Sequence, residues 1–399
     1  MEDSFLHLHT SKQFNTIKVF HGSFPTYTVL SKLQLVSFFA GGGLLDLGFE
    51  QAGFKIAWAN EREDVFADMY EFAIANWRKA NGKRGGVKVA ARQPIESLTG
   101  KQVLKSAFPH GRPKCFGVIG CPPCPDFSTG GLHMGSKGEN GKLTKNFVDQ
   151  ILDIRPQFFL MENVAGLVRF KKHRSFLTRQ LNRLRQKGRY LVDFKILNSL
   201  ELGLPQSRER VFVVGCRKYL AENALNEKLD WSASEWFPWP HDPIYADAKN
   251  LPWPTTSPFG KKPRKPKRIP DELTVNSLFS KANDPTILPN GDEFFLPKSK
   301  KFQTRAEGDV KGKSFKRLHR FRYSPTAWYG NQEVHLHPWE ARRISVREAL
   351  RIQTAPDTYV LPADFSLSAK FRIIGNGVPC EMARLVAVQL NKLISAGAS

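Results

Sequence analysis

The sequence predicts an α/β protein: a parallel sheet covered by helices, followed by a second, smaller and irregular module. Three observations carry this prediction. Strand-like and helix-like segments alternate through the first half, a pattern that gives a sheet with helical cover. After about residue 218 the chain turns rich in proline, tryptophan and lysine with no sustained period, and helical periodicity returns only near the C-terminus. In order, "LQLVSFF" (33–39) is apolar and β-prone, "LLDLGFEQAGF" has helical spacing, "KIAWANE" is a strand and "REDVFADMYEFAIANW" a helix. "KCFGVIG" and "PQFFLMENV" continue the series with the helix "NFVDQILDI" between them, and "RVFVVGCR" (210–217) is a late strand. The irregular tract includes "WFPWPHDPIYADAKNLPWPTTSPFGKKPRKPKRIP", after which "SVREALRIQ" (345–353) and "CEMARLVAVQLNKLI" (380–394) are helical again. These shifts divide the chain into an N-terminal extension (1–31), an α/β domain (32–219), the irregular domain (220–340) and a return to the first domain (341–399).

Composition limits the function. With 399 residues and 41% hydrophobic content the chain can bury a real core. A formal charge of +23 exceeds what solubility needs and points to a polyanionic partner, nucleic acid first. Five cysteines (Cys115, Cys121, Cys124, Cys216, Cys380) are too few and too scattered for a secreted disulfide framework, and "MEDSFLHLHTSKQF" lacks a signal-peptide hydrophobic stretch. A reducing cytoplasm is the expected compartment. No apolar run reaches the ~18 to 20 residues that span a bilayer.

Three consecutive glycines, Gly41 to Gly43, lie between a strand and a helix, where the backbone can approach a ligand closely and a helix N-terminus favours anionic groups. A tight strand-to-helix turn would look the same. Glu61, however, ends the next strand about twenty residues on, where a carboxylate can accept from ribose hydroxyls. The two together suggest an adenosine-containing cofactor. The stretch "GVIGCPPCPDFSTGG" (117–131) raises a second question: a redox pair, half of a zinc site, or the setting for one nucleophile. A redox pair normally opens a helix, whereas "DFSTGGLHMGSKGENG" follows here; zinc needs a second ligand pair, and neither Cys216 nor Cys380 has a cysteine neighbour.

"FFAGGGLLDLGFEQAGF", "GCPPCPDFS", "MENVAGL", "LGLPQSRERVFVVG", "SVREALRIQTAPD" and "IIGNGVPCEMA" resemble, in order, the motifs of the DNA (cytosine-5) methyltransferase family, most closely its bacterial restriction-modification type. The resemblance implies a Rossmann-like S-adenosylmethionine-dependent fold in which residues 32–219 hold cofactor and chemistry and 220–340 form the target-recognition domain. It also implies methyl transfer to carbon 5 of a cytosine flipped out of double-stranded DNA, through a covalent cysteine adduct. Carbon 5 is too poor a nucleophile unaided, and a thiolate added at carbon 6 makes an enamine and can later leave. The resemblance gives that role to Cys124, and the role of acid at N3 to Glu162, kept protonated by burial. Asn163 is expected to hold the catalytic loop by hydrogen bonds. Arg208 and Arg210 alternate on one face of a strand, where a guanidinium can bond the cytosine O2 or an adjacent phosphate, and Arg210 is expected at O2. The cofactor pocket is expected at Phe39, Ala40, Gly41, Gly42, Gly43, Glu61, Arg62, Pro123, Asn376 and Val378, with the C-terminal helix completing it. The segment 130–141 is expected to close over the extruded base.

Several positions depart from the family pattern. Leu44 stands for a second glycine, Ser37 and Phe38 for an aspartate before the loop, and Pro125 for the glutamine after the nucleophile. Cys121 takes the place of a small residue and reads as incidental. An adenine-reading acid is not evident, since "ARQPIESLTG" offers Gln93, Pro94 and Glu96.

DNA contacts are expected from the run between Lys298 and Arg322, which carries Lys298, Lys300, Lys301, Arg305, Lys311, Lys313, Lys316, Arg317, Arg320 and Arg322 against Glu307 and Asp309. "KKPRKPKR" (261–268) reads as a phosphate clamp, a linker or a localisation signal. The Trp/Pro-rich segment 231–254 reads as packing at the edge of the second module. The expected partners are double-stranded DNA and a cognate restriction endonuclease acting separately, and the chain is expected to be a monomer on DNA in a bacterial cytoplasm. A catalytically silent DNA-binding relative and an RNA cytosine-5 methyltransferase are the alternatives.

Overall fold

The computed structural model describes residues 32–83, 85–86, 88–123, 139–312, 314–329 and 333–398. Six strands form one sheet: β1 (Gln34–Phe38), β2 (Lys55–Asn60), β3 (Phe116–Gly120), β4 (Phe158–Val164), β5 (Tyr190–Asn198) and β6 (Glu209–Arg217), in the order β2-β1-β3-β4-β6-β5. β1 pairs in parallel with β2 and β3, and β3 with β4, whereas β6 runs antiparallel to both β4 and β5. The late strand is therefore an antiparallel insertion, which corrects the expectation of a wholly parallel sheet. The cause is the short link from Asn198 to Glu209: a parallel return needs a crossover of about a dozen residues or more, usually helical.

The strands feed two apolar layers because successive side chains point to opposite faces. Leu35, Phe158, Leu160, Phe212 and Val214 enter one core, and Val36, Phe159, Met161, Val211 and Val213 the other. The first core is covered by α1 (Leu44–Gln51) and α2 (Asp64–Ala80), the second by α3 (Gly100–Ala107), α4 (Glu139–Ile154) and, after the single turn α5 (Gly166–Arg169), α6 (Lys171–Gln186). α7 (Lys218–Leu225) returns to the first face.

Beyond it the chain has only short turns of helix, α8 (Val275–Phe279) and α9 (Lys301–Thr304) among them, and no strand among the described residues of 220–340. Part of the Trp/Pro-rich tract belongs to the sheet: Trp236 and Phe237 are buried in the first core, and Asp193 of β5 accepts from Phe237 N and Trp239 Nε1, both at 3.1 Å. Trp253 instead stacks edge-on with Tyr323 in a small separate cluster around Leu200, Ala248 and Leu273. The chain then closes back with α10 (Val346–Ile352), α11 (Leu367–Asn376) and α12 (Cys380–Ala398) on the first core. A capping box of Ser345 and Glu348 starts α10.

Candidate active site

Strand order reverses beside β1, where the crossovers to β2 and β3 leave in opposite directions and open a crevice at the carboxyl ends of the strands. The glycine loop follows β1, Glu61 follows β2, the turn Cys121–Pro123 follows β3, and Glu162 lies near the end of β4. Four separate stretches of sequence thus meet at one edge.

The glycine loop is pinned from below and open above. Gly43 N donates to Ala40 O (2.8 Å), and Ala40 N to Asn60 O (3.0 Å). Gly41 (φ 52°) and Gly43 (φ 80°) adopt left-handed backbone that other residues rarely tolerate. A Cβ on Gly41 would meet nothing within 4 Å, so free space lies over it, whereas one on Gly42 would press on Ile373 and the Tyr359 hydroxyl at 3.0 Å. The Tyr359 hydroxyl donates to Gly42 O (2.5 Å). Beneath the loop, the buried Asp46 accepts from Ser37 Oγ (2.7 Å) and Tyr70 OH (2.8 Å), tying β1, α1 and α2 together. Burial pushes the Asp46 carboxyl up to about 6, against the pull of those two donors. Ser37, a departure from the family pattern in the sequence, thus completes a buried triad whose other members, Asp46 and Tyr70, the sequence did not mark.

Glu61 bonds its own loop. Its Oε2 accepts from Gly41 N and its Oε1 from Glu63 N, each at 2.9 Å, the Arg62 backbone N–H also bonds it, and the carboxylate still has acceptor capacity beyond these donors. Burial raises its pKa and these backbone donors lower it again. Phe39 is half-buried with its ring near Phe147, Arg62 is exposed and paired with Glu63 at 3.0 Å, Val378 is buried, and Asn376 is exposed at the end of α11. A Cβ on the neighbouring Gly377 would meet Leu44 Cδ1 at 2.6 Å, so the turn after α11 packs on the start of α1.

On β4, Glu162 faces Phe212 and Val164 faces Arg210, so Glu162 and Arg210 share a face as diagonal neighbours. Arg210 Nε lies 3.0 Å from Glu162 Oε1. Glu162 is buried, and burial lifts its carboxyl above the ordinary range; the Arg210 and Arg208 charges and a hydrogen bond from Cys121 pull it back only in part. Cys121 is not incidental. The register Gly120↔Met161 sets it beside Glu162, burial keeps its thiol protonated, and the thiol donates to that carboxylate. Asn163 Nδ2 donates to Pro122 O (3.3 Å), and its Oδ1 accepts from Val164 N (2.8 Å), fixing the turn that follows β3. Cys124, Pro125 and the glycine-rich segment through residue 138 lie outside the described residues.

Arg208 does something other than expected. Its Nη1 donates to Ala327 O and its Nη2 to Gly375 O and Gly377 O, all at 2.8 Å, and it is buried. Its terminal nitrogens are thus engaged by three carbonyls from two distant segments, which makes Arg208 a clamp, while its buried Nε has no partner among the described residues. Gln206 and Gln353 complete the clamp. Gln206 Oε1 accepts from Ala327 N (2.9 Å) and its Nε2 donates to Gln353 Oε1 (3.0 Å), while Gln353 Nε2 donates to Ile374 O (2.6 Å).

The basic run divides in the same way. Lys298, Lys300, Lys301 and Lys311 are exposed. Lys316 and Arg322 are half-buried, and Arg305 pairs with Asp309 at 3.0 Å. Arg320 is held bidentate by Glu307, Nε to Oε1 at 2.9 Å and Nη2 to Oε2 at 2.8 Å. Arg317 is fully buried and donates to the carbonyls of Arg305 (2.8 Å), His337 (2.5 Å), Glu340 (2.9 Å) and Phe302 (2.5 Å); it does not face a phosphate, which corrects that assignment. Lys313 lies outside the described residues.

Residues 33–392 match the family profile of C-5 cytosine-specific DNA methylases. The chain is 42% identical over 369 residues to the type II methyltransferase M.NmeDI of Neisseria meningitidis serogroup C, covering 91% of this chain and 84% of that one. It is 29% identical to M.FnuDI of Fusobacterium nucleatum, covering 91% and 95%. Among solved structures, a DNA modification methyltransferase encoded within an E. coli prophage superposes with a TM-score of 0.60 at 24% identity, covering 91% of this chain and all of that one. The S. pombe Dnmt2 methyltransferase superposes with a TM-score of 0.53 at 14% identity, covering 91% and 98%, a likeness of fold. The fold and the match along nearly the whole chain define a methyltransferase of the DNA-modifying class; this protein belongs to the C-5 cytosine-specific DNA methylase family and is a DNA (cytosine-5) methyltransferase. That family uses S-adenosylmethionine as methyl donor.

Proposed function

We propose that the crevice at the ends of β1 to β4 binds S-adenosylmethionine and a cytosine extruded from double-stranded DNA, with Cys124 as nucleophile and Glu162 as acid. The observation that carries this is the pair of the buried Glu162 and the half-buried Arg210, one strand over from the Cys121–Pro123 turn that leads directly into Cys124. The free space over Gly41 and the spare lone pairs of Glu61 fit a cofactor: Glu61 would accept from ribose hydroxyls, Phe39 to Gly43 would line one side, and Pro123, Val378 and Asn376 the other. Arg62 and the Gln93 region border the same pocket; Asn60 Nδ2 donates to Ala91 O and Gln93 O, both at 2.9 Å, which holds that edge. The cofactor supplies an electrophilic methyl group on a sulfonium.

In this reading the Cys124 thiolate forms a bond to carbon 6. The electron pair of the C5–C6 double bond is held at carbon 5 as an enamine, and the protonated Glu162 bonds N3 to stabilise it. Arg210, already aligned by Glu162, is placed to bond O2. After methylation, loss of the carbon 5 proton expels the Cys124 sulfur. Asn163 holds the loop through Pro122, and Arg208 holds the recognition segment against the catalytic edge. The type II relatives, matched along most of their length, support a role as the modification enzyme of a bacterial restriction system, acting in the cytoplasm.

Cys124→Ala should abolish methylation of duplex DNA while leaving S-adenosylmethionine affinity, read by calorimetry, within about twofold of the parent; methylation surviving at more than a trace would remove Cys124 from the chemistry. Glu61→Ala should weaken cofactor binding at least about tenfold, because each hydrogen bond to a charged acceptor contributes on the order of 1.5 to 3 kcal/mol.

A further inference from the structure

The sequence "KKHRSFLTRQLNRLRQKGR" (171–189) carries eight lysines and arginines and no aspartate or glutamate. It forms α6 and the turn after it. One stripe of the helix is core: His173, Phe176, Leu177, Gln180, Leu181 and Leu184 are buried. The opposite side is uniformly cationic or neutral, with Lys171, Lys172, Arg174, Arg179 and Lys187 exposed and Ser175, Thr178, Asn182 and Gln186 between them.

This composition works against the helix itself. The first turn holds Lys171 and Lys172 with no acidic residue and no side-chain cap, so the positive end of the helix dipole meets positive charge. Arg179 and Arg183 are like charges at i,i+4. Asp149 of α4 answers Arg183 and Lys145, but Lys171, Lys172, Arg179 and Lys187 have no acidic partner among the described residues. A merely solvated helix face normally mixes signs, which costs nothing and stabilises the helix. Arg179, Asn182, Arg183 and Gln186, with Lys145 of α4, also line an open depression of about 500 Å³.

The position of α6 says what the face meets. It begins nine residues after Glu162, and just before it Arg169 Nη1 bonds Glu209 Oε2 (2.5 Å), the neighbour of Arg210. The helix therefore starts at the catalytic edge and runs back along the sheet, on the face opposite the one that carries α10 to α12. We propose that the exposed face of α6 binds the phosphodiester backbone of duplex DNA flanking the target, outside the recognition domain and on one side of the target cytosine. Phosphate oxygens are acceptors only, and lysine, arginine, hydroxyl and amide donors alternate along this face to meet them. Such contacts add affinity without sequence preference. The proposal rests on the duplex-DNA reading above.

The test uses the full chain and target-containing duplexes whose flank is extended stepwise, on one side at a time, by up to about 20 base pairs at about 3.4 Å each. The parent should gain affinity as one flank grows and not as the other does. The triple variant K171Q/K172Q/R179Q should lose that gain, about tenfold in Kd, and flatten the log–log salt dependence on the long duplex by roughly 0.9 for each phosphate no longer neutralised. On the unextended duplex the parent and the variant should bind alike. A variant that keeps the flank-dependent gain would show α6 to be a solvated face and overturn the proposal. Equal weakening on extended and unextended duplexes would overturn it too, since the cations would then act at the target or through general attraction. Absence of duplex binding by the parent would overturn both this proposal and the reading beneath it, whereas parent binding with no variant effect defeats this proposal alone.

Discussion

At the scale of single residues, the acid role proposed for Glu162 depends on how its carboxyl is kept neutral. Burial favours its neutral form, and three neighbours oppose that: Arg210 at 3.0 Å, the Arg208 cation and the Cys121 thiol. A protonated carboxyl can donate to N3 of cytosine and a carboxylate cannot. Methylation should therefore be retained below the raised pKa of Glu162 and fall as pH rises through it. Cys121 tunes that limb, because its hydrogen bond favours the charged form. Cys121→Ala removes the donor and should move the alkaline limb of kcat/KM to higher pH. Cys121→Ser supplies a stronger hydroxyl donor and should move it lower. Limbs that shift in the same direction, or not at all, would make the thiol a packing group. The sequence let Cys121 read as incidental, because its partner is forty-one positions away and is brought to it only by the register of β3 against β4.

At the scale of elements, the site depends on how α11, α12 and the irregular segment are pressed against the sheet. α1 and α12 meet at Gly48, where an added Cβ would lie 2.6 Å from Cys380 O and 2.7 Å from the Ala383 Cβ. Two effects compete in Gly48→Ala. A better helix former contributes about 0.5 to 1 kcal/mol, and overpacking against a neighbouring helix backbone costs about 1 to 3 kcal/mol. The nearest atom met is backbone and cannot rotate away, so overpacking should win; a lower urea midpoint is expected, and an unchanged or higher one would mean that α12 moves freely. Such close approaches were not legible in advance, whereas much of the rest was. Short apolar runs pointed to β1 to β4 and β6, whose two faces enter the two cores, and period-3.6 patterns to α1, α2, α4, α10 and α12. β5 and α6 escaped: "YLVDFKILN" places Asp193 and Lys195 inside a strand run, and α6 is so rich in arginine and lysine that its core stripe is hidden among charges. Arg208 was read from alternation as facing the base, yet the ends of its guanidinium are spent on Ala327, Gly375 and Gly377, which only the closed fold brings within reach.

At the scale of the whole molecule, the charge of +23 has two uses that the sequence alone could not separate. The irregular segment has no strand ladder to satisfy its carbonyls among the described residues, and buried backbone acceptors must find donors. Buried arginines supply them. Arg347 bonds Pro289 O and Tyr359 O at 3.0 Å, Arg351 bonds Leu278 O at 2.7 Å and Asn283 O at 2.5 Å, and Arg317 bonds four carbonyls. These cations act as internal cross-links, at the cost of desolvation, which pulls the Arg317 pKa down to about 10. The lysines that open the same run behave differently, since Lys298, Lys300 and Lys301 remain in solvent. The two groups should therefore separate by experiment. Arg317→Ala leaves four carbonyls, those of His337 and Phe302 buried, without their donor and should cost on the order of 3 kcal/mol in urea unfolding, with the salt dependence of DNA binding unchanged under conditions where the variant is folded. Replacing Lys298, Lys300 and Lys301 by glutamine should leave the unfolding midpoint in place and flatten the salt dependence by roughly 0.9 for each phosphate that these lysines neutralise. An Arg317→Ala protein that unfolds like the parent but binds DNA with a shallower salt slope would return that arginine to the DNA face.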